Sequence, residues 1–265
     1  MAFVLGLAQC CHPEELGTDA VLEMAEQWYA EAQYRGVDLL VFPELLMTRY
    51  ESSRESFAAE AEPLDGLFCT KMNALAARYG LWGGYTVNER NSQGGNPFNT
   101  AVLVGSDGLQ HGVYRKVHLF DTDFTRESDR MAAGSALFKP VDTPFGRIGL
   151  SICYDLRFPE VARFAALHGC QMLINPAAWV DGRLKAEQWR TLLSARAIEN
   201  EMFVAGLSRV DKGYIGQSAV FGPDGVMLAA GGVREELVTA RIDFSAIEEV
   251  RAFMPVLQHR RPELY

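Results

Sequence analysis

Apolar positions along this chain recur in two rhythms, short uninterrupted runs and longer stretches at helical spacing. Phe3 to Gln9 is a short run that suits a buried strand. Thr18 and Asp19 then cap a predicted helix from Ala20 to about Arg35, with Leu22, Ala25, Trp28, Tyr29 and Ala32 on its apolar face and Gly36 ending it. Asp38 to Phe42 (DLLVF) is the next strand, so the opening reads β-α-β with a parallel pair. A second helical pattern runs through Leu67, Met72, Leu75, Ala76 and Tyr79 to Gly80, followed by a strand from Trp82 to Val87 and a polar turn over Asn88 to Asn96. Thr100 to Val104 and Leu109 to Tyr114 form two strands joined around Asp107-Gly108, and the polar Asp121 to Ser135 segment is expected to be a loop over the site.

The second half repeats these rhythms. Ile148 to Ile152 is a strand, and Pro159 opens a helix carrying Glu160 in its first turn and Val161, Phe164, Ala165 and Leu167 until Gly169. Gln171 to Asn175 is a strand, and Leu184 to Asn200 is a long helix with Trp189, Leu192, Leu193, Ala195, Ala197 and Ile198. Phe203 to Leu207, Ser218 to Phe221 and Leu237 to Ile242 are strands, with Pro223-Asp224-Gly225 a turn between two of them. Strands alternate with helices early and pair as hairpins later. The pattern predicts an α/β protein whose two sheets form a sandwich with helices on its outer faces.

Composition narrows the setting. The 265 residues are 48% hydrophobic and no Ser-, Gly- or Pro-rich linker divides them, so one domain over 1–265 is expected. A net charge of -9, with Lys and Arg scattered, argues against nucleic acid and anionic membrane as partners. The apolar opening MAFVLGLAQCC lacks a basic leader, is too short to span a bilayer and reads as the first strand. Five cysteines without CxxC spacing fit neither a disulfide framework nor a zinc site, which predicts a reducing, cytoplasmic location.

Three groups stand just past strand ends: Glu44 after DLLVF, Lys116 after the second hairpin strand, and Cys153 between a strand and the helix led by Pro159. If those strands share a sheet, a carboxylate, an ammonium and a thiol converge. Cys153 on such an elbow is either an exposed nucleophile or a buried structural cysteine. Glu44 is either a general base or a helix-cap acid, and Lys116 either an oxyanion partner or a surface cation. His118, Asp121, Asp123 and Glu127 lie close together but lack the spacing of known cation loops, and Cys10, Cys11 and His12 are packing residues before they are metal ligands.

The segments FPELL (42–46), YRKVHLF (114–120) and ICYDLRFPE (152–160) resemble the three signature blocks of the carbon-nitrogen hydrolase family, also called the nitrilase superfamily. NPAAW (175–179) and ARAIENEMFVAG (195–206) are similar to its later blocks, so the resemblance covers essentially the whole chain. It implies a four-layer α-β-β-α sandwich, a homodimer joined through helices, and a triad of Glu44, Lys116 and Cys153. Glu127 in DTDFTRES matches a second carboxylate that orients Lys116, or is a solvated loop acid. The implied reaction is hydrolysis of a small amide through a thioester at Cys153, with the backbone N–H of Tyr154 and Lys116 facing the oxyanion, and with no cofactor or metal. RKVHLFD and CYDLRFPE look most like the omega-amidase and deaminated-glutathione-amidase branch. Arg157 then either meets a substrate carboxylate or pairs with Asp155, and Tyr154 and Trp179 either wall the pocket or belong to the core. Nitrile or N-carbamoyl hydrolysis is the alternative reaction, and a catalytically silent binding module the alternative class. VDGRLKAEQW (180–189) departs from the glycine-containing pattern associated with that branch, which leaves the substrate open.

Overall fold

In the computed structural model, which describes residues 2–13, 17–48, 54–123 and 125–264, the strands form two six-stranded sheets. In chain order they are β1 (Phe3–Gln9), β2 (Leu39–Val41), β3 (Trp82–Glu89), β4 (Phe98–Val104), β5 (Gln110–Arg115), β6 (Val141–Thr143), β7 (Gly146–Leu150), β8 (Met172–Ala177), β9 (Phe203–Ser208), β10 (Ala219–Phe221), β11 (Met227–Ala230) and β12 (Glu236–Ile242). The first sheet runs β12-β1-β2-β3-β4-β5 and the second β11-β10-β9-β8-β7-β6. The predicted β-α-β opening is present, with β1 and β2 parallel, and the second sheet has its own parallel core of β7, β8 and β9. The helices are α1 (Thr18–Tyr34), α2 (Arg54–Glu60), α3 (Leu67–Tyr79), α4 (Pro159–Leu167), α5 (Lys185–Asn200) and α6 (Ser245–Phe253).

Side-chain alternation decides the layers. In β1, β2 and β4, Leu5, Leu7, Leu39, Val41, Ala101 and Leu103 face the second sheet and join a core with Ile148, Leu150, Met172 and Phe203. Their neighbours Ala8, Leu40, Phe42, Val102 and Val104 face outward and pack with Ala25, Tyr29, Met72 and Ala76 of α1 and α3. On the far side of the second sheet, α5 lies so close to β9 that a Cβ at Gly206 would stand 2.6 Å from Trp189 and Leu193. The result is the α-β-β-α order expected from the resemblance. Each wholly buried Leu or Phe in these layers contributes about 1.5–3 kcal/mol relative to exposure.

Several boundaries differ from the sequence reading. α1 starts at Thr18 after Gly17, with no side-chain cap, so Thr18 and Asp19 sit inside the first turn. β7 runs from Gly146 to Leu150, two residues earlier at each end than the apolar run, and it starts from a tight hairpin with β6 at Pro144-Phe145 that the apolar pattern did not announce. Short β6, edge strand β11 and helices α2 and α6 were likewise not anticipated. Phe124 of the polar segment and Tyr265 of the tail lie outside the described residues. That segment folds partly into a 3-10 turn, Glu127–Asp129.

Candidate active site

Glu44 follows β2 and is almost wholly buried. Its Oε1 accepts hydrogen bonds from Lys116 Nζ (2.8 Å) and Asn99 Nδ2 (2.8 Å), and its Oε2 accepts from the backbone N–H of Ala178 (2.7 Å). The backbone around it is fixed as well. Leu45 adopts a left-handed conformation (φ 57), and buried Arg209 donates to the carbonyls of Glu44 (3.3 Å) and Leu45 (2.8 Å) while pairing with Asp211 (2.6 Å). His12 Nε2 reaches the Leu45 carbonyl at 2.7 Å. A carboxylate with three donors on two oxygens has little rotational freedom and is held for one task.

Lys116 is the residue after β5 and is 2% exposed. Its backbone N–H donates to Asn99 O (2.9 Å) and its carbonyl accepts from Gly134 N–H (2.7 Å), so the main chain cannot swing. Its ammonium touches Glu44 and also both oxygens of Glu127, at 3.0 and 2.9 Å. Glu127 is itself buried and accepts from the Phe120 N–H at 2.6 Å, which excludes the solvated-acid reading. Burial disfavours the charged ammonium, yet Glu127 and Glu44 outweigh it and hold Lys116 well above the usual lysine range.

Cys153 opens a 3-10 turn, Cys153–Arg157, three residues past β7. The elbow is therefore a turn inserted between strand and helix, not the strand end itself. Cys153 has φ 44, a left-handed backbone that a residue with a side chain adopts only under constraint. That constraint is Asp155, wholly buried, whose Oδ2 accepts from Ile152 N–H (2.9 Å) and the Tyr114 hydroxyl (2.7 Å) and whose Oδ1 accepts from His118 N–H (3.1 Å) and Nδ1 (2.8 Å). Cys153 as a whole residue is 9% exposed. Burial and the Glu44 carboxylate push its pKa well above the usual thiol value, against the pull of Lys116.

The three groups do not share a sheet. Glu44, Asn99 and Lys116 come from the first sheet, Cys153 and Ala178 from the second, and they meet across the sandwich. Two small adjoining cavities open beside Cys153 and share Phe120, Ala178 and Val180. Tyr154, Arg157 and Trp179 line the first, and Lys116, Glu127 and Tyr214 the second. Arg157 does not pair with Asp155, which His118 and Tyr114 occupy; its Nη2 donates to Gln188 (2.9 Å) and its guanidinium lies 4.8 Å over the Trp179 ring. His118 stands behind the site, stacked on Phe158 at 3.6 Å. Among the described residues no group of three or more His, Cys, Asp or Glu is arranged to hold a metal ion.

Asn99, Arg209 and Lys185 were missed in the sequence. Arg209 was findable, since it too is the first residue after a strand, β9. Asn99 lies inside β4 and Lys185 at the head of α5, where nothing local marks them.

Comparison with known proteins follows this geometry. The sequence model of the family described as Carbon-nitrogen hydrolase matches residues 5–252. The chain is 33% identical over 239 residues to the deaminated glutathione amidase of Escherichia coli O157:H7, covering 90% of each. It is 34% identical over 247 residues to omega-amidase NIT2 of Homo sapiens, covering 89% of this chain and 87% of that one. The nitrilase and fragile histidine triad fusion protein NitFhit of Caenorhabditis elegans is 37% identical over 211 residues, 75% of this chain. The match takes in 48% of the fusion protein, so the chain corresponds to about half of its length. The crystal structure of NitFhit superposes with a TM-score of 0.90 at 29% identity, covering 100% of this chain and 66% of that one. With one family's pattern running from β1 into α6, and with shape and sequence agreeing along the same span, the chain belongs to the carbon-nitrogen hydrolase family.

Proposed function

We propose that the protein is a thiol-dependent amidase that hydrolyses a small primary amide to a carboxylate and ammonia, as an omega-amidase does. The observation that carries this reading is the buried contact of Lys116 with both Glu44 and Glu127 beside the Cys153 thiol. With the thiol neutral, two carboxylates and one ammonium leave the site one negative charge in excess. A free thiolate would add a second, which is why the thiol is held protonated. Glu44 takes that proton as sulfur attacks the amide carbon, so the net charge of the site does not change. The Lys116 ammonium and the Tyr154 N–H face the oxyanion that forms. As the tetrahedral adduct collapses, the C–N bond breaks and Glu44 returns the proton to the departing ammonia. Water deprotonated by Glu44 then attacks the thioester, the C–S bond breaks, and sulfur recovers its proton from Glu44. Glu127 keeps Lys116 aimed throughout. Arg157, four residues past the thiol, is free of carboxylates among the described residues and supports a substrate that carries its own acid group.

Ammonia release across a panel of primary amides, nitriles and N-carbamoyl amines tests the assignment. Acidic primary amides should give the highest kcat/KM. Preferential hydrolysis of nitriles or carbamoyl compounds would replace the amidase reading while keeping the thiol chemistry, and no turnover of any member would favour a silent binding module.

We also propose a homodimer in a reducing, cytoplasmic setting. Ile198 on α5, Leu228 on β11 and Phe253 and Met254 at the end of α6 are exposed apolar side chains. The following tail is pinned there, with the N–H groups of Val256 and Leu257 donating to buried Glu201 at 2.9 and 3.3 Å. Exposed apolar side chains on these elements are suited to burial against a second copy. Light scattering at micromolar concentration should give twice the 29.4 kDa chain mass, and a monomer mass would overturn the dimer. All five cysteines are free, in keeping with the reducing setting.

A further inference from the structure

The cavity beside Cys153 is lined by two cations, Arg157 and Lys185. Arg157 is committed: Gln188 holds its Nη2 and Trp179 lies under its plane. The Lys185 ammonium makes no hydrogen bond or ion pair among the described residues, and its ring contact, 5.4 Å from the Phe120 centre, is longer than that of Arg157. Among the described residues no carboxylate pairs with either of them. The backbone of Lys185, by contrast, is fixed, its N–H donating to Gly182 O (3.1 Å) and its carbonyl accepting from Trp179 Nε1 (3.1 Å). Lys185 is also the first residue of α5, where the aligned peptide dipoles disfavour a cation and favour an anion. Burial and the charge of Arg157 hold its ammonium below the usual lysine range. Two like charges are thus kept beside one small apolar-walled cavity with no carboxylate paired to either among the described residues, and each is relieved by the same thing, a bound anion.

We propose that Lys185 is the specificity-determining residue of the site, its ammonium receiving the free carboxylate of the substrate while Arg157 forms the fixed wall of the same subsite. The inference rests on the reading of Cys153 as the point of attack. It adds that the carboxylate of such an acid-amide reaches Lys185 when the amide carbon is over the thiol. The residue lies in 180–189, the stretch that departs from the pattern associated with the branch.

The test measures binding and turnover separately. Calorimetry of the monoamide of succinic acid with the Cys153→Ala chain should show Lys185→Gln weakening binding about 10-fold or more, and Lys185→Arg restoring most of it. With Cys153 intact, Lys185→Gln should raise KM for that compound by a similar factor, keep its kcat within about 3-fold, and lower kcat/KM for neutral butyramide by a clearly smaller factor. Binding that Lys185→Gln does not weaken, absence of binding to the parent chain, or equal losses for the acidic and neutral amides would each overturn the proposal. Lys185-dependent binding in a chain that releases no ammonia would overturn the amidase reading and leave the subsite standing.

Discussion

Cys153→Ala should lower kcat for ammonia release by about 10⁴-fold or more while moving the melting temperature by only a few degrees. The large effect follows from the division of labour in the site. Glu44, Lys116 and Glu127 can polarise and protonate, but without sulfur no group within the cavity can form the covalent intermediate that splits the reaction into two easier steps. The small effect on stability follows from size. Alanine removes one sulfur atom, and the Asp155 bonds that set the local backbone are made by other residues. Parallel ammonia assays and thermal melts on the purified variant check both halves. Turnover within about 100-fold of the parent would sink the thiol mechanism, because the surrounding electrostatics alone cannot supply so much.

Lys116→Met should fail in both respects, losing activity and several kcal/mol of stability. The methionine fills the space, but Glu44 and Glu127 are then two buried carboxylates without their cation. Stranding buried charge in this way costs about 3–5 kcal/mol, which at about 2–4 °C per kcal/mol is a loss near 10 °C. Adding Glu127→Gln should recover much of the melting temperature and none of the activity. A Lys116→Met chain that melts with the parent would show that the buried charge contacts have no energetic weight.

The fold was largely legible because its sheets are buried on both faces. Strands such as Phe3–Gln9 are continuous apolar runs, and glycines such as Gly80 (φ 68) end helices where a left-handed residue is needed. Elements stabilised by pairing alone left no such mark. β6 is three residues long, and β11, mostly exposed, has no apolar alternation to read. For the site, strand ends identified Glu44, Lys116 and Cys153, and the resemblance supplied Glu127. What the sequence did not reveal was that the groups belong to opposite sheets, since strand order is set by long-range pairing. Asn99 was hidden for the same reason, as it matters only through Glu44, a partner far along the chain, whereas the position of Arg209 just past β9 was there to be read.

Sheet order also bears on how the molecule is assembled. β1 pairs on one side with β2 and on the other with β12, its Phe3 opposite Ile242. A nascent chain emerging at about 5–20 residues per second therefore holds β1 with one edge open until β12, which begins at Glu236, has left the ribosome. The edge that waits is apolar on both faces, the kind that captures stray strands. Truncation before residue 236 leaves the first sheet without an edge strand, so shortened products of this gene are expected to aggregate and not to yield a smaller working enzyme.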